Sequence, residues 1–72
     1  MDKPTFYEIR VKGHLDASLS ALFEELTISN LENGEAVLSG SLPDQAALHG
    51  ILNRASSLGL KLISVNPAPQ ED

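Results

Sequence analysis

The chain has 72 residues, a formal net charge of −5 and no cysteine, and 42% of its residues are hydrophobic. This length fits one domain, and the composition is that of an ordinary globular protein. Nucleic acids and anionic membrane surfaces both require clustered Lys and Arg, of which the chain has only five in all. The lack of cysteine excludes disulfides and thiolate metal sites.

No apolar run approaches the roughly 20 residues of a membrane span, and Met1–Thr5 contains no apolar signal core. We therefore expect a cytoplasmic protein that binds neither membranes nor nucleic acid. Small domains without disulfides or a structural metal often gain stability by association. A homo-oligomer is accordingly expected, and another protein is the second candidate partner.

The first predicted element is a strand over residues 6–15. Apolar residues and glycine alternate there with charged residues and histidine, which is the period of a strand with one buried face. The buried face is expected to carry Tyr7, Ile9, Val11, Gly13 and Leu15, and the other face Glu8, Arg10, Lys12 and His14.

A short helix of about two turns is predicted next. Asp16-Ala17-Ser18 offers side-chain oxygens for its N-cap. The apolar residues that follow have the i, i+3, i+4, i+7 spacing of one helical face. They are Leu19, Leu22, Phe23 and Leu26.

Two strands joined by a hairpin are predicted over residues 26–42. Asn33-Gly34 lies between two alternating runs, and this pair is a strong hairpin signal because both residues tolerate positive φ. On the second of these strands one face is expected to carry Ala36, Leu38, Gly40 and Leu42, and the other Val37, Ser39 and Ser41.

A second helix is predicted from about Pro43 to Leu58. Pro43 and Asp44 suit its first turn, and Ser41-Leu42-Pro43-Asp44 also fits a capping pattern, so the cap residue stays open by one or two positions. Gly59 is the expected left-handed stop. The predicted buried stripe consists of Leu48, Ile51, Leu52, Ala55 and Leu58.

The last predicted strand covers residues 60–65. Its buried face stays open, because Leu62 and Ile63 are adjacent and point in opposite directions in a regular strand. If Leu60 and Leu62 face the helices, Ile63 and Val65 join Val37 on the opposite face. We expect a flexible N-terminus at residues 1–5, one domain at 6–66 and a disordered tail at 67–72.

The order β-α-β-β-α-β predicts an α+β fold of the ferredoxin-like kind. The four-stranded antiparallel sheet would have the order 4-1-3-2, with two helices on one face.

The stretch Leu42-x-Asp44-Gln45-Ala46-Ala47-Leu48-His49-Gly50-Ile51-Leu52-x-Arg54, which follows Tyr7-x-Ile9-x-Val11-x-Gly13-His14-Leu15, resembles a set of short uncharacterised bacterial proteins. That resemblance covers most of the chain and implies a bacterial source. The order of elements also looks like that of small regulatory ACT-type domains. Such domains usually carry an Asp-x-Pro-Gly turn after the first strand, where effectors bind, and this chain has Gly13-His14-Leu15-Asp16-Ala17 there.

No motif for catalysis, cofactor binding or metal binding is present. The sequence has no nucleophile elbow, no phosphate-binding glycine loop and no H-E-x-x-H zinc motif, and we expect no enzyme. His14 and His49 are expected to be solvated surface residues that do not meet. The open sheet face is expected to hold no aromatic residue on its central strands, which argues against RNA binding.

Two candidate sites remain. The first is an interface, formed by small residues opposite the buried stripe of the second helix and by apolar residues of the open sheet face. It comprises Ala46, Gly50, Asn53, Ser57, Val37 and Ile63. The second is an effector turn that comprises Gly13, His14 and Asp16. The sequence thus predicts a non-catalytic, oligomeric protein-interaction or regulatory module; the alternative is an ACT-like domain that binds a small polar effector at a subunit interface.

Overall fold

A computed structural model describes residues 4–67. The strands are β1 (Thr5–Lys12), β2 (Thr27–Asn30), β3 (Glu35–Leu42) and β4 (Lys61–Pro67). The helices are α1 (Ala17–Ser20), which continues into a 3₁₀ turn (Ala21–Phe23), and α2 (Gln45–Ser57). The expected flexible start and disordered tail fall largely on residues 1–3 and 68–72, which lie outside the described part, whereas Thr5 and Pro67 belong to strands.

The four strands form one antiparallel sheet in the order β2-β3-β1-β4, which reads 4-1-3-2 from the β4 edge. β1 and β3 are the central pair, with Ile9 opposite Leu38 and Arg10 opposite Val37. Directly opposed residues of an antiparallel pair share a face. The register therefore assigns every paired side chain to one of two faces.

The hydrophobic core lies between one face of the sheet and the helices. The central strands contribute five buried residues to it: Ile9, Val11, Ala36, Leu38 and Leu42. The helical side contributes Phe23 together with Leu48, Ile51 and Ala55 of α2. The alternation of apolar and polar residues along β1 and β3 thus produces the predicted buried face. Both helical segments cover that face. Within residues 4–67, no helix is long and apolar enough to cross a membrane.

The first helix differs from its prediction. It keeps α geometry for one turn, capped by the Asp16 carboxylate, which accepts a hydrogen bond from the Leu19 N–H at 2.9 Å. The following 3₁₀ turn advances by about 120° per residue instead of about 100°, so the four apolar positions no longer share one face. Leu22 is 45% exposed, while Phe23 is fully buried. The prediction that Leu22 shares one helical face with Phe23 is wrong.

The hairpin between β2 and β3 forms at the predicted position. Only Gly34 takes a positive φ there, of 88°, and no non-glycine residue among those described does so. The Gly34 N–H donates to the Leu31 carbonyl, and the Leu31 N–H donates to the Glu35 carbonyl. This pattern is that of a three-residue loop that closes on a left-handed glycine, so Asn33 does not need the strained conformation. Instead, its Oδ1 accepts from the Glu35 N–H at 3.0 Å.

Both ends of α2 are set by local hydrogen bonds. Asp44 is the N-cap and accepts from the Ala47 N–H at 2.9 Å, so Pro43 precedes the helix and Ser41 belongs to β3. At the other end Gly59 has a φ of 81°, and the Leu60 N–H donates to the Ala55 carbonyl. This is the Schellman termination expected from a glycine after the last turn.

A β-bulge decides which residues of β4 face the helices. Val65 lies opposite Ile9 and Leu62 opposite Val11, but Ser64 lies opposite Arg10, so Ile63 has no partner in β1. The extra residue shifts the alternation, and Leu62 and Val65 come to the same side of the sheet. Val65 therefore packs against the core. The alternative in which Ile63 and Val65 both join Val37 on the opposite face is therefore wrong for Val65.

Gly40 marks a close backbone approach in the fold. A Cβ atom at this position would lie 2.9 Å from Leu26 Cδ2 and 3.0 Å from the Glu25 carbonyl oxygen. The Leu26 methyl group can move, but the Glu25 carbonyl belongs to the chain that leads into β2. By contrast, a Cβ atom at Gly50 of α2 would meet nothing within 4 Å.

Replacing these two glycines by alanine should shift stability in opposite directions. Gly40→Ala should lower the free energy of unfolding by about 1–3 kcal/mol, because it forces the Glu25 backbone away from β3. Gly50→Ala should raise it by about 0.5–1 kcal/mol, since alanine is the better helix former. Urea unfolding followed by circular dichroism measures both. A shift of the same sign in the two variants would contradict the packing described.

Candidate functional site

One face of the sheet is not covered by any described element, and we call it the open face. The register assigns residues from all four strands to it, and every one of them is half-buried or exposed. Its residues are Phe6, Glu8, Arg10 and Lys12 of β1, Thr27 and Ser29 of β2, Glu35, Val37, Ser39 and Ser41 of β3, and Lys61, Ser64 and Asn66 of β4.

Charge is distributed unevenly between the two sides of the molecule. Residues 4–67 contain four Lys or Arg side chains, and three of them, Arg10, Lys12 and Lys61, lie on the open face. Of the seven Asp and Glu side chains in the same range, only Glu8 and Glu35 lie there. The open face therefore carries one net positive charge, while the rest of the described chain is acidic.

Only one ion pair is formed on this face within residues 4–67. Arg10 Nη1 lies 3.0 Å from Glu35 Oε1, and both side chains are partly exposed. Lys12 lies opposite Lys61 in the register, which places two like charges side by side at one end of the β1–β4 ladder. Among the described residues, Glu8 has no ion-pair partner. The face thus presents positive and negative side chains, and Glu8, Lys12 and Lys61 form no ion pair within residues 4–67.

Phe6 is a feature of the open face that the sequence analysis missed. It lies opposite Ser41 and is half-buried, so the prediction of a face without aromatic residues on its central strands is wrong. The signal was present in the alternation, because Phe6 precedes Tyr7 and must point to the opposite side. His14, by contrast, lies beyond the end of β1 and does not belong to this face.

The predicted interface residues fall into separate groups. Ala46, Gly50, Asn53 and Ser57 are all exposed on the outer side of α2. Val37 lies in the middle of the open face, on the other side of the sheet. Ile63 is 45% exposed at the bulge of β4. The structure therefore does not bring the helix stripe and the sheet residues together into one surface.

The predicted effector turn is held by internal hydrogen bonds. The Gly13 N–H donates to the Gly34 carbonyl at 2.7 Å, and His14 Nε2 is bonded to the Leu31 carbonyl. The carboxylate of Asp16 caps α1. The Gly13 N–H, His14 Nε2 and Asp16 Oδ1 are thus engaged with the hairpin and the helix.

Asn30 links β2 to this turn through two hydrogen bonds. Its Oδ1 accepts from the Leu15 N–H at 3.0 Å, and its Nδ2 donates to the Leu15 carbonyl at 3.0 Å. One side chain therefore satisfies both backbone groups of Leu15, as a neighbouring strand would. Sequence spacing gives no sign of this contact, because the two residues are 15 positions apart.

Arg54 has a corresponding role on the helical side. Its guanidinium donates to the Leu22 carbonyl, lies 3.6 Å from Glu25 Oε2 and stands 5.7 Å from the centre of the Phe23 ring. These contacts join α2 to the 3₁₀ turn and to the loop before β2. They make Arg54 a structural residue of the fold.

Groups that could perform chemistry are dispersed over the described residues. His14 lies in the turn after β1, and His49 is exposed on α2. Within residues 4–67 no three His, Asp or Glu side chains come together in a way that could hold a metal ion. The open face is the exposed surface to which all four strands contribute.

The link between Asn30 and Leu15 can be tested with a pair of matched substitutions. Asn30→Asp should lower the free energy of unfolding by about 1–2 kcal/mol, because a carboxylate cannot donate to the Leu15 carbonyl. Asn33→Asp adds the same charge but keeps the oxygen that accepts from Glu35, so it should change stability by less than about 0.5 kcal/mol. Urea unfolding at neutral pH compares them, and equal losses would rule out the proposed role of Asn30.

Comparison with known proteins identifies a family. No curated protein and no solved structure matches the chain. Residues 6–66, however, match a family described as a domain of unknown function, DUF8691. This segment includes all four strands of the sheet and both helices, with only the ends of β1 and β4 outside it. The chain belongs to the DUF8691 family.

Proposed function

We propose that this domain is a non-catalytic protein-interaction module that associates with a second copy of itself through the open face. The single observation that supports this most directly is the uncovered face itself. It combines both signs of charge with Val37 and Phe6, so it can be complementary to a copy of itself. We also infer that the fold is a reduced ferredoxin-like arrangement, supported by the order of its elements and strands.

The size of the open face suits a weak, concentration-dependent dimer. The four strands have eight, four, eight and seven residues, and at about 3.3 Å along the strand and about 4.8 Å across it for each residue they give about 430 Å² per subunit. A dimer would bury about 850 Å² in total, below the roughly 1,000 Å² of a stable specific interface. Hence the association should depend strongly on concentration.

The edges of the sheet are less suited to association than its face. β4 begins with Lys61, carries the bulge near Ile63 and ends with Pro67. Charge, bulges and proline are features that protect an edge strand against further pairing. β2 has only four residues and offers a short edge. The open face is therefore the larger continuous surface that a partner can reach.

The helix stripe gives less support for an interface. Ala46, Gly50 and Asn53 are exposed, and the space beside Gly50 is empty, but no second observation points to a partner there. Exposed small residues on a helix also occur on ordinary solvated surfaces. We therefore assign the interaction to the sheet and treat the helix stripe as the comparison surface.

Two substitutions that add the same charge to different faces test this assignment. Val37→Asp places a carboxylate at the centre of the open face and should abolish self-association, because that charge would be desolvated in the contact. Gly50→Glu adds the same charge to α2, where the space beside it is empty, and should leave self-association unchanged. Sedimentation velocity over a wide concentration range measures both.

Circular dichroism and urea unfolding establish that each variant is folded before the comparison. A wild-type chain that stays monomeric at high concentration would refute the proposed function. Loss of association in Gly50→Glu, with Val37→Asp unaffected, would move the interface to the helix.

A further inference from the structure

The charges of β1 suggest how two copies are oriented, an inference that rests on the proposed function. Glu8 and Arg10 are adjacent positions of the open face, with Ile9 between them pointing into the core. A carboxylate and a guanidinium arranged in this way are complementary to the same pair running in the opposite direction. A two-fold axis provides that reversal, since it applies the same surface patch to both subunits.

We infer that two copies meet face to face around a two-fold axis that crosses β1 at Ile9 and β3 at Leu38, with their β1 strands antiparallel. The axis lies between the two sheets and is perpendicular to the strands. Because Ile9 and Leu38 are opposite one another, it passes over both positions. Arg10 then faces Glu8 of the partner subunit, and Glu8 faces Arg10 of the partner subunit. Two ion pairs form at the centre of the interface.

The neighbouring strand supports the same arrangement. On β3 the axis brings Val37 to Ser39 of the partner subunit, where two small side chains allow the sheets to approach. Packed sheets lie about 10 Å apart, a distance that long Glu and Arg side chains reach from opposite sides. The same axis brings Lys12 toward Phe6 of the partner subunit, a pair that suits a cation–π contact.

Other two-fold arrangements leave these charges unmatched. An axis that runs along β1 places Arg10 against Arg10 and Glu8 against Glu8, which is repulsive. An axis that runs between β1 and β3 pairs Lys12 with Glu35 but places Arg10 against Val37 and Glu8 against Ser39. Because desolvated charges without partners are costly, the antiparallel arrangement is favoured. Arg10 can keep its bond to Glu35 within the subunit, since one guanidinium has several N–H donors.

Charge reversal at these two positions tests the inference. Glu8→Arg alone should weaken self-association about tenfold or more, because the introduced guanidinium would face Arg10 of the partner subunit and repulsion would replace both ion pairs. Arg10→Glu alone should weaken it similarly by placing carboxylates together. An equimolar mixture of the two variants should restore association, since two positive charges on one chain then face two negative charges on the other. Sedimentation equilibrium measures the affinities, and native mass spectrometry identifies the mixed dimer by mass.

A matched control separates this effect from net charge. Glu32→Arg changes the charge by the same amount as Glu8→Arg but lies in the hairpin, outside the open face, and should leave the affinity near that of the wild type. Urea unfolding shows that each variant is folded.

The outcomes distinguish self-association itself from the orientation of the two copies. If both single variants associate weakly and the mixture recovers the affinity, the two-fold arrangement with antiparallel β1 strands is supported. If the wild type associates but Glu8→Arg behaves like Glu32→Arg, or if the mixture fails to recover, the orientation is overturned while self-association stands. If the wild type does not associate at all, the proposed function fails and this inference fails with it.

Discussion

The helical segments within residues 4–67 cover only one face of the four-stranded sheet, and the rest of the structure depends on that constraint. α2 has 13 residues, and α1 with its 3₁₀ turn has seven. Among residues 4–67, the eleven buried apolar residues therefore lie in one core on that side. No other described element covers the opposite side of the same strands. The proposed self-association uses this surface.

The segment between β1 and β2, which covers part of this face, is held in place by hydrogen bonds from individual polar side chains. The connection from β1 to β2 has little regular structure, so its backbone groups need partners outside a helix or strand. Asn30 supplies both partners for Leu15, and Arg54 supplies one for the Leu22 carbonyl. The close approach at Gly40 lets the same connection lie against β3. These contacts stabilise the region where the chain has the least regular structure.

The parts of the fold that could be predicted from sequence are those encoded by local pattern. The alternation around Ile9 and Leu38 predicts the buried face, and Asp16, Asp44 and Gly59 mark helix ends by hydrogen bonds that span only a few residues. The bulge at Ile63 could not be predicted, because it depends on how β4 pairs with β1. The contact of Asn30 with Leu15 likewise exists only once the fold brings distant residues together. For the open face, the alternation already contained Phe6, and the missing information was the register, which sets the residue opposite each position.

The central claim is that the open face mediates contact between copies. The most direct measurement follows the backbone amide resonances of the ¹⁵N-labelled wild-type chain by NMR as its concentration is raised. The account predicts progressive shifts at Glu8, Arg10, Val37 and Ser39, with the outer side of α2 from Ala46 to Ser57 unchanged. Shifts confined to α2, or spectra that do not change with concentration, would contradict it.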